Sequence, residues 1–232
     1  MANPEPRSQL DPMRARRLAA VTAITCSRAP LLFAFLALTV CDMLVPVTLS
    51  NISLHIASRW IALALLLASS LTDLFDGMLA RRWGVVTRFG AVCDPLMDKI
   101  FFAVVFPTVT ALFLLGGEIA LGALSLVFTA LHLVRDMWVV TLRSLAAGKA
   151  DLKADFVGKL RTATSFPIGL AAYCRIALAY KWDWLASERA GWIVAALFAF
   201  GLVLNVYSAI SYTRRFRFAI DDALVPGAPS SR

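Results

Sequence analysis

Apolar residues in this chain fall in long unbroken blocks rather than alternating, and short polar or basic stretches separate the blocks. About 20 consecutive apolar residues let a helix cross the hydrocarbon core of a bilayer, with its backbone groups satisfying one another. On that rule the pattern predicts six spans, near 18–41, 59–81, 90–117, 119–145, 158–180 and 190–212. The expected fold is an all-α integral membrane protein with six transmembrane helices. A polar N-terminal tail and interfacial segment (1–17) should precede the membrane domain (18–213), and a basic, structureless tail (214–232) should follow it. The stretch 42–58 reads as an external loop, with His55 a solvated residue within it.

Composition sharpens this picture. A hydrophobic content of 59% and a mean hydropathy of +0.73 exclude an ordinary soluble domain. The net charge of +8 raises the question of a nucleic-acid partner. The basic residues, however, cluster at the ends of apolar blocks, where the positive-inside rule and anionic lipid account for them, so nucleic acid is set aside. Sixteen of the 23 lysines and arginines lie in the N-tail, between the second and third spans, between Arg143 and Arg161, and in the C-tail, against Arg59, Lys181 and Arg189 on the other side. Both termini are therefore expected in the cytoplasm. No cleavable leader is read, so the first span is expected to target the chain. Cys26, Cys41, Cys93 and Cys174 lack metal-site spacing and read as small buried hydrophobes.

The stretch from Asp73 to Asp98 departs from this apolar background. It reads DLFDGMLARRWGVVTRFGAVCDPLMD and holds four carboxylates. Asp73 and Asp76 are three apart and Asp94 and Asp98 four apart, so each pair shares a helix face, and the polar turn between them brings the faces together. Carboxylates crowded in a partly desolvated place repel one another, and protonation or bound cations must relieve that. Two divalent ions do so economically. A cation-transport path or a buried ion-pair cluster is the competing reading, since intramembrane carboxylates mark ion paths. Arg28, inside the first span beside Thr25, is either a snorkelling or packing arginine or a cation aimed at phosphate.

The spacing D-x2-D-G-x2-A-R-x8-G-x3-D-x3-D, filled by Asp73, Asp76, Gly77, Ala80, Arg81, Gly90, Asp94 and Asp98, resembles the signature of the CDP-alcohol phosphatidyltransferases. That resemblance implies a membrane enzyme that moves a phosphatidyl or similar group from a CDP-activated donor to an alcohol. It implies Asp73, Asp76, Asp94 and Asp98 as ligands of two Mg²⁺ ions, with Mn²⁺ a substitute, and Asp98 also as the base that takes the proton of the attacking hydroxyl. Gly77, Ala80, Arg81 and Gly90, with Thr25 and Arg28 of a T-x2-R pair, would bind the donor; Thr22 stands where the family often has asparagine. The resemblance also implies a homodimer.

Within the family, Asp94-Pro95-Leu96-Met97-Asp98-Lys99, Arg135-Asp136 with Leu142-Arg143, and Gly158-Lys159-Leu160-Arg161-Thr162 resemble stretches of phosphatidylglycerophosphate synthases. The partners so implied are CDP-diacylglycerol, sn-glycerol 3-phosphate and the bilayer, with the active site facing the cytoplasm, in bacteria from the inner membrane. Lys99, Arg135, Arg143, Lys159 and Arg161 are candidates for the acceptor's phosphate, against the simpler reading of positive-inside bias, and an Arg135–Asp136 salt bridge is a further plain reading. His132 reads as a packed, hydrogen-bonded residue. Phosphatidylglycerol and inositol phosphate remain alternative acceptors, and a non-catalytic transporter or ion-binding protein remains the alternative of another class.

Overall fold

The computed structural model describes residues 12–85, 88–146 and 156–224, and every regular element among them is a helix. In chain order these are α1 (Pro12–Leu44), α2 (Ile52–Trp83), α3 (Arg88–Leu115), α4 (Ile119–Leu145), α5 (Phe156–Leu178), α6 (Asp183–Ala186), α7 (Glu188–Arg215) and α8 (Arg217–Ala223). Five are long and apolar enough to cross a membrane: α1, α2, α3 from Cys93, α4 and α7. The fifth expected span is present as the 23-residue α5, but Lys159, Arg161, Arg175 and a Thr/Ser-rich first half keep it outside that apolar set. Large apolar side chains such as Leu126, Val134, Met137, Val203 and Ile210 face outward, as on a protein solvated by lipid. Cys26 and Cys41 are exposed as well, which corrects the expectation that all four cysteines are buried: a small apolar residue costs nothing on a lipid-facing side.

Two compact units divide the chain, Met1–Thr108 and Val109–Arg232. In the first, α1 and α2 pair as a hairpin around Leu32, Phe35 and Leu66, all fully buried. α1 begins at Pro12, well before the first span expected from hydropathy, and proline suits the first helical position because its missing N–H would have no partner there.

At the other end of the hairpin the sequence reading is corrected. The loop runs only over 45–51, and His55 lies on α2, 5% exposed. Its Nδ1 is 2.6 Å from Asp42 Oδ1, Ser58 Oγ donates to the same oxygen at 2.6 Å, and Arg59 Nε donates to Asp42 Oδ2 at 3.1 Å. A carboxylate on the last turn of α1 thus collects the polar side chains that opened α2, and hydropathy alone reads such a run as loop.

The second unit opens with a glycine-terminated helix end. Gly117 takes φ +80, donates to the Leu114 carbonyl at 3.2 Å, and lets Glu118 N–H reach the Phe113 carbonyl at 2.9 Å. α4, α5 and α7 then converge where Gly201 sits, since a Cβ there would stand 2.6 Å from the Phe128 ring and 3.0 Å from Ile168. Arg175 of α5 ties one end of the unit together, donating to Glu118 Oε2 at 2.8 Å and to the carbonyls of Leu185 and Ser187 at 2.6 and 3.0 Å. Ser187 caps α7 by accepting from Ala190 N–H. At the opposite end α8 occupies part of the expected structureless tail. Phe216, Ala219 and Ile220 alternate with charged residues at helical spacing and pack on Val139, Leu142, Ala146 and Tyr212.

Candidate functional site

In the first unit the acidic motif closes on one arginine. Arg28 is 2% exposed on α1, and its guanidinium pairs with Asp73 of α2 and lies 3.5 Å from Asp94 Oδ1 and 3.9 Å from Asp98 Oδ1, both on α3. Three carboxylates from two helices therefore meet around Arg28 among the described residues. The side chains of Asp76 and Ala80, both part of the motif, lie outside the described residues. Arg28 is neither snorkelling nor merely packed: it is the counter-ion of the carboxylates. Thr25, also buried, turns its hydroxyl to its own helix and donates to the Val21 carbonyl at 3.2 Å.

Among the described residues no three His, Cys, Asp or Glu side chains stand in ready-made metal-holding array. The donor chemistry nevertheless fits a hard divalent cation. The candidate donors are all carboxylate oxygen, and Asp73, Asp94 and Asp98 are partly exposed, at 28%, 53% and 33%, where an ion can reach them. The remaining motif positions line the same helices. A Cβ at Gly77 would meet Arg81 Nη2 only at an ordinary 3.9 Å, so no neighbour in the protein demands a glycine there; a close-lying ligand would. Arg81 is exposed and donates from Nε to the Gly77 carbonyl at 3.0 Å, Gly90 is half-buried, and Lys99 is exposed on α3.

The second unit gathers the opposite charge. Arg135 of α4 and Arg161 of α5 converge on the carboxylate of Asp136, which accepts from Arg161 Nη2 at 2.7 Å and from Arg135 Nη1 at 3.1 Å, and Arg143 of α4 stands beside Arg135 over the Tyr212 ring. The Arg135–Asp136 bridge read from the sequence is therefore present, within a larger array. His132 is buried, as expected, with Arg161 Nη1 at 2.8 and 3.0 Å from its ring nitrogens. The Lys159 side chain lies outside the described residues.

Sequence reasoning gave no role to Asn205, Ser208 or Tyr212, yet all three are buried on one face of α7. Asn205 Oδ1 accepts from Arg161 Nη1 at 3.2 Å, Ser208 Oγ from Arg135 Nη2, and Tyr212 OH from Arg143 Nη2 at 3.0 Å. The Tyr212 ring also lies under the guanidinium groups of Arg135 and Arg143, at 5.0 and 5.3 Å. Gly158 permits this: a Cβ there would stand 3.2 Å from Tyr212 OH. A polar stripe at i, i+3 and i+7 within an apolar helix was the available signal.

Comparison with known proteins bears on both clusters. The profile of the CDP-alcohol phosphatidyltransferases matches residues 22–207. A probable phosphatidylglycerophosphate synthase of Mycobacterium tuberculosis is 37% identical over 108 residues, 47% of either chain. The CDP-diacylglycerol–glycerol-3-phosphate 3-phosphatidyltransferase of Cereibacter sphaeroides is 36% identical over 93 residues, 40% of this chain and 39% of its own. The Escherichia coli K12 protein of the same name is 30% identical over 161 residues, covering 67% of this chain and 78% of its own. The chain thus spans about half or less of the length of the first two relatives and most of the third. Members of this family are generally metal-dependent. Since the profile runs through both the acidic motif of the first unit and the arginine cluster of the second, the chain belongs to the CDP-alcohol phosphatidyltransferase family.

Proposed function

We propose that the protein transfers a phosphatidyl group from CDP-diacylglycerol to sn-glycerol 3-phosphate and releases CMP. The observation that carries the reaction class is the convergence of Asp73, Asp94 and Asp98 on Arg28. Asp73, Asp76, Asp94 and Asp98 would hold divalent ions, Mg²⁺ by preference, whose chemistry is to neutralise a diphosphate and polarise the phosphorus under attack. Thr25, Arg28, Gly77, Ala80, Arg81 and Gly90 bind the donor, with Arg28 exchanging carboxylate partners for phosphate oxygens. The acceptor hydroxyl oxygen forms the new bond to the phosphorus that carries diacylglycerol, the bond from that phosphorus to CMP breaks, and Asp98 takes the hydroxyl proton.

Charge and hydrogen-bonding capacity support a phosphorylated acceptor. Arg135 and Arg161 share one carboxylate in the second unit with Arg143 beside them, and Arg135 Nε, Arg143 Nε, Arg161 Nε and Asn205 Nδ2 are buried without a partner among the described residues. Buried donors of that number call for a ligand rich in acceptors, and a phosphomonoester dianion matches the surplus charge. Lys159 in the second unit and Lys99 in the first are the further candidates for the acceptor's phosphate. The relatives named for glycerol-3-phosphate transfer support the same acceptor. Six spans, cytoplasmic termini and a site facing the cytoplasm follow from the distribution of lysine and arginine, and bacterial relatives point to the inner membrane.

The test is CMP release by the purified full chain in detergent with Mg²⁺ and CDP-diacylglycerol, comparing glycerol 3-phosphate, inositol phosphate, phosphatidylglycerol, serine and no acceptor. Release dependent on glycerol 3-phosphate is expected. Release with another acceptor alone overturns the acceptor, and none with any acceptor overturns the reaction.

A further inference from the structure

The polar face of α7 carries out no step of the reaction above, yet each of its three buried polar side chains holds a different arginine. Asn205 takes Arg161, Ser208 takes Arg135, and Tyr212 takes Arg143 while its ring lies under both Arg135 and Arg143. We infer that Asn205, Ser208 and Tyr212 are positioning residues that set the affinity for the acceptor's phosphate, by fixing three flexible guanidinium groups from α4 and α5 into one anion site before substrate arrives. The inference rests on reading the arginines as the acceptor-phosphate site.

The physical argument is preorganisation. An arginine side chain has large rotamer freedom, and three like charges brought together repel one another, so an unsupported cluster would spread apart or wait for its ligand to assemble it. Neutral oxygen acceptors from α7 hold the cations without consuming their charge. Further carboxylates in the same places would hold them too, but would cancel the surplus that attracts phosphate. Among the described residues Asp136 is the carboxylate that pairs with these arginines, and it meets two of the three. Tyr212 does most in one side chain, since its ring takes two guanidinium groups and its hydroxyl orients one of them. Gly158 keeps the space its hydroxyl needs.

The experiment is steady-state kinetics of the purified full chain with CDP-diacylglycerol, varying glycerol 3-phosphate and then the donor, for Tyr212→Phe, Tyr212→Leu, Ser208→Ala and Asn205→Ala. Thr213→Val serves as the control. It removes a 2.8 Å hydrogen bond between α7 and Trp138 of α4 without touching an arginine. The acceptor KM is expected to rise about 3- to 10-fold in Tyr212→Phe, Ser208→Ala and Asn205→Ala, consistent with one lost hydrogen bond each. It should rise further in Tyr212→Leu, with donor KM unchanged throughout and the control at wild-type values. The same order is expected in thermal stabilisation by glycerol 3-phosphate alone, which reads binding without turnover. Tyr212→Phe loses a single oxygen atom, so it keeps the test available if Tyr212→Leu does not fold. Equal rises in both KM values, acceptor KM unchanged in Tyr212→Phe and Ser208→Ala, or the same acceptor effect in Thr213→Val would each overturn the inference. Wild-type protein that ignores glycerol 3-phosphate would instead overturn the acceptor reading itself.

Discussion

The two charged clusters are built in opposite ways. In the first unit three carboxylates are a quarter to a half exposed and share one deeply buried arginine. In the second unit three arginines, two of them below a tenth exposed, are held by neutral oxygens from α7, and two of them share one carboxylate, Asp136. The acidic cluster keeps its carboxylates near solvent, which suits ions that arrive, bind and leave with substrate. The basic cluster is buried and keeps donors to spare among the described residues, which suits recognition of one anionic group. The difference teaches that the proposed chemistry and the proposed recognition fall to regions of opposite character, one mainly carboxylate and one mainly guanidinium among the described residues, and each can be broken separately.

The largest effect is expected at the acidic cluster. Asp98→Asn should lower kcat by at least about 100- to 10,000-fold, as loss of a general base does, while CDP-diacylglycerol still raises the melting temperature in the presence of Mg²⁺. Turnover near wild type would remove Asp98 from the chemistry. At the basic cluster, Arg161→Ala should raise the acceptor KM by about 10- to 100-fold, the worth of charge-assisted hydrogen bonds, and leave the donor KM nearly unchanged. Parallel changes in the two constants would erase the distinction between the clusters.

A subtler outcome concerns Arg28, which neutralises the carboxylates in this structure. Arg28→Ala should melt at lower temperature without divalent ions and should gain more from added Mg²⁺ than the wild type does, because the ion then relieves a larger repulsion. An equal Mg²⁺ gain in both proteins would mean that Arg28 and the ion do not answer the same charge. The smallest effect on activity is expected far along the hairpin. Asp42→Ala breaks the links to His55, Ser58 and Arg59 and should cost about 1–3 kcal/mol of stability through stranded polar groups, with both KM values unchanged.

Much of this was legible in the sequence because membrane helices are written in long apolar blocks. The 119–145 span matches α4 residue for residue, and Gly116-Gly117 marks the end of α3. The acidic motif was legible because four carboxylates at helical spacing have no ordinary place in such blocks. Partnerships between distant residues were not. Asp42 makes a helix of what hydropathy reads as a polar loop holding His55, and Val139 and Leu142 give α8 an apolar surface that a tail read by itself does not reveal. Arg28 was noticed as a cation, but its carboxylate partners were not. The α7 stripe was missed because Asn, Ser and Tyr are unremarkable one at a time. Their meaning lies in the three arginines opposite, which the chain carries some 44 to 73 residues away.

The central claim joins a metal-dependent acidic site to a phosphate-reading basic site, and one measurement addresses both: CMP release from CDP-diacylglycerol by the full chain, titrated with Mg²⁺ in parallel with glycerol 3-phosphate and with unphosphorylated glycerol. The account predicts release that requires Mg²⁺ and glycerol 3-phosphate together and that stays at the no-acceptor background with glycerol. Equal release with the two acceptors, or release indifferent to divalent ions, would contradict it.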